Sequence, residues 1–407
     1  MLGGIEYQIW LDGDPVTDEL YTRILTVTVE QGIDLATEAR IELMMFADDQ
    51  GEWNGISDAT ATTFKRLRLE ARNQTSEWIP LIDGPIISWQ PEFSGEPGQS
   101  VMAIVAQDDT VLLNREAKHE VFEGDTDTDV IMKMFDQVDS IGMVIVDTIP
   151  PPPNDRPLKH MKRGTPMDML IAIAEPWDLH VYVQPDDQIG KSVGYVKRLS
   201  TSKQSTLPPF ILTGSDRNVE TFSATNDVKK ATRYRGQQTG VGVPDTSQAP
   251  IYVTRYSKDD PGPDDSNAKK DPSVKPPPKK VTLLDSFVAF SADNPSITDY
   301  KHLGTELLSP FISASRDVVE LLPRWQQRSS YTITASGSVR YGCYDGVLRA
   351  YDTVGVSGVN AMLCTNFIVK EVTHTFSRSE YRQDFTLITN STREPSNGAG
   401  PVPPNVM

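Results

Sequence analysis

The sequence predicts an α+β, β-rich chain, and three observations carry that prediction. Short segments with period-two alternation recur along most of the length, separated by Gly-, Asp- and Pro-rich turns. Helical periodicity is confined to residues 126–177 and 296–322. Strand-only stretches flank these helical patches instead of alternating with them, which favours antiparallel sheets closed as a barrel or sandwich over a parallel βαβ sheet.

With 407 residues the chain can bury a large core and divide into two to four domains. Its 39 basic and 56 acidic residues give a net charge of −17, which argues against wrapping nucleic acid. No apolar run approaches about 18 residues and no basic-then-hydrophobic start is present, so neither a membrane span nor a signal peptide is expected. The chain is expected to be made in the cytosol. Two cysteines, Cys343 and Cys364, are too few for a disulfide framework and read as small buried hydrophobes in strands.

Taken in order, the first strand with clear alternation is at 24–29, where Leu25, Val27 and Val29 alternate with Ile24, Thr26 and Thr28. Further strands are expected at Arg40–Phe46, Phe64–Glu70, Glu77–Ile82, Pro85–Trp89 and Val101–Ala106, with Ile82-Asp83-Gly84-Pro85 read as a turn. Next comes one short unit written twice, FEGDTDTDVIMKMFDQVDSIGMVIV and RGTPMDMLIAIAEPWDLHVYV. Each copy opens a helix with Thr-x-x-Asp, at Thr126–Asp129 and Thr165–Asp168. There the threonine oxygen accepts from first-turn N–H groups and the acid suits the positive helix end. Pro166 takes the first helical position, where its missing N–H costs nothing. The apolar stripes are Val130, Ile131, Met134, Phe135 and Val138 in one copy, and Met169, Leu170, Ile173, Ala174 and Trp177 in the other. Each helix leads into a strand, Met143–Val146 and His180–Val183. Pro150–Pro153 separates the copies.

Strand patterns resume weakly at Val193–Arg198, Phe210–Leu212, Val219–Ser223 and Lys229–Arg235. Residues 255–280 hold six prolines, six lysines and five aspartates, which reads as a flexible, solvated insertion. A helix broken near Pro310 is expected over Ser296–Leu322. Strands follow at Ser330–Ala335, Gly346–Ala350, Asn366–Val372 and Tyr381–Ile388, the last two as a hairpin through Ser377–Glu380 with Tyr381, Gln383, Phe385 and Leu387 on one face. The end beyond 392 is Pro-, Gly- and Asn-rich and expected to be disordered.

No catalytic, cofactor or metal residue is assigned. The five histidines (119, 160, 180, 302, 374) show no metal-ligand spacing, and no phosphate loop, dinucleotide fingerprint, nucleophile elbow or Cys-x-x-Cys pair occurs. The acidic clusters Asp48–Asp49, Asp108–Asp109, Asp125–Asp129 and Asp186–Asp187 fall at turns and helix starts, where carboxylates serve local solvation or capping. A carboxylate pair for glycoside cleavage would need a cleft that the sequence does not announce.

In order and spacing, several of these segments resemble the baseplate hub proteins of contractile tails, the phage late-control-D family, and the hub portion of VgrG-type spikes. They are Val27-Thr28-Val29-Glu30-Gln31-Gly32, Ile82–Ser88, Val105–Asp109 with Leu112–Leu113, the two capped helices, and Ile368–Phe376 leading to Tyr381–Leu387. The resemblance covers about Leu25 to Asn390. It implies two tube-like antiparallel β-barrels: residues 1–115, completed by strands near 190–225, and residues 226–392, carrying the insertion 255–280 and the helical insert 296–322. Residues 116–189 would form a helix-strand side domain. It also implies a non-enzymatic homotrimer that joins a sixfold tail tube to a threefold spike. The implied partners are the tube protein, a separate spike protein, baseplate wedge proteins and a tape measure protein, with DNA or cargo only passing through the lumen. Its place would be the virion baseplate or an assembled injection particle. The readings set against it are a hub-associated cell-wall hydrolase and a β-rich carbohydrate-binding or adhesin module.

Overall fold

The computed structural model describes residues 6–47, 51, 53, 64–72, 77–96, 98–149, 159–201, 203, 205, 207–230, 232–239, 252–256, 281–287, 304–307, 321, 324–325, 327–340, 342–359, 363–378 and 380–391. The chain divides into two compact units. One comprises residues 1–150, 157–227 and 333–407, the other residues 151–156 and 228–332.

The first unit begins with β1 (Glu6–Leu11), β2 (Asp14–Pro15), helix α1 (Asp18–Arg23), β3 (Ile24–Gly32), β4 (Glu38–Met44), β5 (Arg66–Arg72), β6 (Ile79–Glu92) and β7 (Val101–Gln107). A short helix α2 (Thr110–Leu113) leads to β8 (Lys118–Glu123), α3 (Asp127–Phe135) and β9 (Ile141–Val146). Then come β10 (Lys159–Gly164), α4 (Pro166–Ala174), β11 (His180–Pro185), β12 (Ser192–Lys197), β13 (Phe210–Ile211) and β14 (Thr221–Asn226). The second unit carries β15 (Thr232–Thr239), β16 (Tyr252–Tyr256), β17 (Val281–Phe287) and β18 (Gly304–Leu307). The first unit closes with β19 (Ile333–Arg340), β20 (Thr353–Ser357), β21 (Asn366–Ser377) and β22 (Tyr381–Thr389).

One large sheet in the order β14-β19-β22-β21-β3-β4-β7-β6-β5-β1-β2, with β20 and β13 branching from β21, dominates the first unit. Two of its strands change partner midway. β6 pairs with β5 through Ile79–Pro85 and with β7 through Ile86–Glu92. β21 pairs with β20 through Asn366–Ile368 and with β3 through Glu371–Ser377, while β22 runs along Ile368–Phe376. Two apolar cores result. One gathers Val27, Val29, Ile41, Leu69, Ile86, Ile104 and Phe376; the other gathers Phe210, Ile333, Val354, Phe367, Val369, Phe385 and Leu387. β21 contributes to both.

The partner change in β6 corrects the expected turn at Ile82–Pro85, which lies inside one 14-residue strand. Gly84 is there for a close approach: a Cβ on it would sit 1.9 Å from the Gln107 carbonyl oxygen. The strand expected at Gly346–Ala350 is irregular instead. Two buried glutamines satisfy its backbone as a neighbouring strand would. Gln383 donates to Gly346 O at 3.0 Å and accepts from Leu348 N–H at 2.8 Å, and Gln31 accepts from Ala350 N–H at 3.3 Å. At the start of β3 a register shift between Ile24 and Thr26 buries Ile24 and leaves Leu25 half-buried, against the simple alternation.

The duplicated unit folds as the sequence indicates. Thr126 and Thr165 each cap a nine-residue helix, and Asp129 and Asp168 complete the reciprocal bonds. Both apolar stripes are buried. β8 and β10 pair antiparallel over six residues, so the two β-α-β copies face each other in opposite directions. β12 lies between β9 and β11, parallel to one and antiparallel to the other. Trp177 Nε1–H donates to the Asp127 carboxylate at 3.2 Å, which ties the second copy to the first turn of the first. Of the strands near 190–225, β12 pairs within this module and β14 pairs with β19.

In the second unit, described by itself, the sheet order is β16-β17-β15-β18, and the Tyr234 and Trp325 rings meet edge-on at 5.7 Å. Within the expected helix 296–322, Gly304–Leu307 is a strand parallel to β15; most of that segment, like 257–280 and the tail after 391, lies outside the described residues. Neither cysteine is in a strand. Cys364 is buried as expected, whereas Cys343 is exposed in a turn, and both are free thiols.

Candidate functional site

The densest polar constellation is a charged seam between β5–β6 and the β9–β12 module. β5 alternates arginines with apolar residues, so Arg66 and Arg68 emerge on the side away from Leu67 and Leu69. Arg66 Nε–H donates to Asp83 at 2.5 Å, and its two terminal nitrogens grip both oxygens of Asp109 at 2.8 Å each. Arg68 donates to Glu70 at 2.7 Å and to Asp83 at 3.0 Å. The module answers with Ser140 and Ser192 hydroxyls to Asp109 at 2.8 and 2.7 Å, and Gly190 N–H to Asp83 at 2.9 Å. The carbonyls of Asp186 and Asp187 accept from Arg68 at 2.7 and 3.2 Å.

Burial works against the charge on Arg66, but hydrogen bonding and attraction from Asp109 and then Asp83 outweigh it and raise its pKa. The Asp83 and Asp109 side chains are fully buried. Adjacent Asp108 accepts from Thr37 N–H at 2.6 Å and from Thr110. Burial pushes its pKa up to about 6 against those hydrogen bonds.

A second seam is aromatic. Tyr182 of β11 lies between Tyr351, at 3.6 Å between ring centroids, and Tyr195 of β12, at 4.9 Å. His180 Nδ1 is 2.7 Å from an Asp34 oxygen; a carboxylate only accepts, so that nitrogen carries the proton. Burial raises the pKa of Tyr182 and Tyr351.

The acidic clusters are thus brought to different duties. Asp125–Asp129 caps α3 and pairs with Lys133. Asp186–Asp187 offers carbonyls to Arg68. Asp108–Asp109, expected to serve solvation or capping at a turn or helix start, stands at the start of α2, where Asp108 accepts from Thr110 N–H, and both are buried and bonded. Asp48 and Asp49 lie outside the described residues. His374 is fully buried 2.8 Å from the Tyr381 hydroxyl, and burial pushes its pKa down to about 3. Among the described residues no group of three His, Cys, Asp or Glu side chains could hold a metal, and no helix is long and apolar enough to cross a membrane. A carboxylate whose oxygens are taken up by a guanidinium and two hydroxyls is poorly placed to act as a base or nucleophile. The seam's chemistry is attachment. Sequence reasoning missed it because its members, at 66, 68, 83, 109, 140 and 190–192, come from five separate segments.

Two open depressions are present, one of them beside the charged seam. One of about 650 Å³ lies beside Arg66, Arg115, Gln137 and Ser140. The other, about 460 Å³, crosses the sheet from Thr221 and Ser223 to Glu371.

No family model matches the sequence, and no curated protein does. Among solved structures the fold is similar to the 43 kDa tail protein of prophage MuSo2 from Shewanella oneidensis, at 12% identity and TM-score 0.60, covering 96% of this chain and 99% of that one. It is similar to the tail protein from Neisseria meningitidis MC58, at 13% identity and TM-score 0.59, covering 97% and 99%. It is also similar to a chain of the Francisella PdpA-VgrG complex, at 10% identity and TM-score 0.53, covering 97% of this chain and 59% of that one. The fold is one shared with phage tail proteins and with a chain of a PdpA-VgrG complex.

Proposed function

We propose that the chain is a structural hub protein of a contractile tail or injection system. It assembles as a homotrimer that joins the sixfold tail tube to the threefold spike and anchors the surrounding baseplate. The observation that carries this reading is the fold likeness, which spans nearly the whole of this chain and of two tail proteins. Two apolar cores with β21 common to both support it: in this reading the strands around Val27 and Ile104 belong to one tube-like barrel and those around Phe385 to the other. Three chains with two such modules present six related faces to a tube ring, a geometry that closed symmetry permits. The partners are the tube protein, a separate spike protein, baseplate wedge proteins and a tape measure protein, with DNA or cargo passing through the lumen. The particle baseplate is its location.

The test is negative-stain microscopy of the purified protein alone. Threefold rings with pseudo-sixfold features support the reading; isolated single particles at micromolar concentration refute it. Lysis of peptidoglycan by the pure protein would favour a hydrolase instead.

A further inference from the structure

The duplicated helices repeat more than their caps. Counted from each capping threonine, the third, sixth and tenth residues are Asp129, Met132 and Asp136 in α3, and Asp168, Ile171 and Glu175 in α4. Spacings of three and four place each trio on one ridge of its helix. All six residues are exposed, away from the buried stripes, and the two helices lie against each other. A single exposed methionine or isoleucine is ordinary on a protein surface. Here the same position is exposed twice, Met132 at 38% and Ile171 at 46%, and each stands between two carboxylates. Asp136 sits at the C-terminus of α3, where the helix dipole favours a cation, so its charge works against the helix that carries it. The cation on that face of α3, Lys133, is held by Asp125 at 2.8 Å, and Ala172 takes its place in α4. Hydrogen bonds from Thr126 keep the Asp129 carboxyl below the usual carboxylate range, so its charge persists.

We propose that the outer ridges of α3 and α4 are a docking surface for a basic amphipathic helix of a partner protein. A helix repeats with the same period as the ridge, so Lys or Arg placed three residues before and four after a Leu meets acid, apolar and acid in register. Met132 and Ile171 supply the apolar contact, and the carboxylates on either side supply steering and orientation. A net charge of −17 on the chain favours the encounter. The inference does not depend on the trimeric reading.

The experiment titrates the full-length protein with an alanine-based helical peptide carrying the spacing Lys-x-x-Leu-x-x-x-Lys, and with a scrambled peptide of identical composition. Calorimetry and amide hydrogen exchange report the outcome. The patterned peptide is expected to bind and to slow exchange across Asp127–Phe135 and Pro166–Ala174, and the scrambled peptide to bind about tenfold more weakly. The double variant Met132→Gln/Ile171→Gln keeps good helix formers at exposed positions, so its melting temperature is expected to be unchanged while binding weakens about tenfold. Asp136→Asn is expected to weaken binding while raising the melting temperature slightly, the signature of a charge kept for a partner and not for the fold. Exchange in α3 and α4 unaffected by saturating patterned peptide overturns the proposal, as does equal affinity of the scrambled peptide or of the double variant. A lower melting temperature in Asp136→Asn also counts against it, since that carboxylate then serves the fold. Protection of the two helices that rises with protein concentration in the absence of peptide overturns it as well, because the occupant is then a second copy of the chain.

Discussion

The hairpin that joins the two cores and the seam that holds the β-α-β module are built from opposite chemistries. In the hairpin, Phe376 and Tyr381 stack with centroids 4.3 Å apart and planes 5° apart, and His374, Phe376 and Tyr381 are at most 1% exposed. In the seam, Arg68 and three carboxylates are buried beside the partly buried Arg66, together with the module's hydroxyls and N–H groups. Apolar burial stabilises in proportion to area removed from water, whatever the neighbours. A buried charge stabilises only when every partner is present, because desolvation is offset solely by the full set of bonds. The hairpin should therefore respond to mutation in a graded way and the seam all at once. The difference also assigns roles: the hairpin supplies stability, and the seam fixes where the module sits.

The largest effects are expected from opening the seam and from removing the hairpin's Phe376 ring. Asp109→Ala leaves Arg66 without its two-pronged partner and should cost about 3–5 kcal/mol in denaturant titration, with faster amide exchange across Ser192–Lys197. Arg66→Met combined with Asp109→Leu removes both charges and should restore much of that loss. If the double variant is as damaged as the single, the seam is not held by paired charge. Phe376→Ala should cost about 3–5 kcal/mol through lost burial and a residual cavity. A loss below about 1 kcal/mol would contradict the ring's burial.

Acid sharpens the contrast. Folded His374 titrates at about 3, against about 6.5 for an unconstrained histidine. Between those values the unfolded chain binds the extra proton, so stability present above about pH 6.5 is lost as pH falls toward about 3. Asp108 acts in the opposite sense: its folded value of about 6 exceeds the ordinary 3.8, so the folded chain holds that proton through the window and the penalty for its charge returns as pH rises. His374→Gln should flatten the decline of the denaturation midpoint between about pH 6.5 and about pH 4; an unchanged slope would show that His374 is not the group responsible. The smallest effects belong to the helix caps. Thr126→Ala and Thr165→Ala should each cost about 1 kcal/mol, and similarly, since both caps make the same reciprocal bonds. A large difference between them would mean that tertiary contacts, not capping, dominate one site.

The legible parts of the fold were those encoded locally. The twin Thr-x-x-Asp caps, their apolar stripes and the alternation of Tyr381, Gln383, Phe385 and Leu387 all concern neighbours in sequence, and each appears in the structure. What was not legible depends on distant residues. Ile82-Asp83-Gly84-Pro85 carries every mark of a turn, but the chain continues as a strand because Gln107 presses against Gly84 and both arginines of β5 bind Asp83. Gly346–Ala350 has strand-like residues, yet side-chain amides from Gln31 and Gln383 occupy its hydrogen-bonding groups. The charged seam looked like ordinary surface for the same reason: an aspartate's fate is set by which guanidinium the fold delivers, and local sequence is silent on that. Only order and spacing across the whole chain carried the likeness to tail proteins.

The claim on which the functional account stands is assembly into a closed ring. Multi-angle light scattering of the purified chain across a dilution series tests it most directly. The account predicts a mass three times that of the 45.1 kDa chain, falling toward the monomer only at high dilution. A single 45.1 kDa species at every concentration would contradict it.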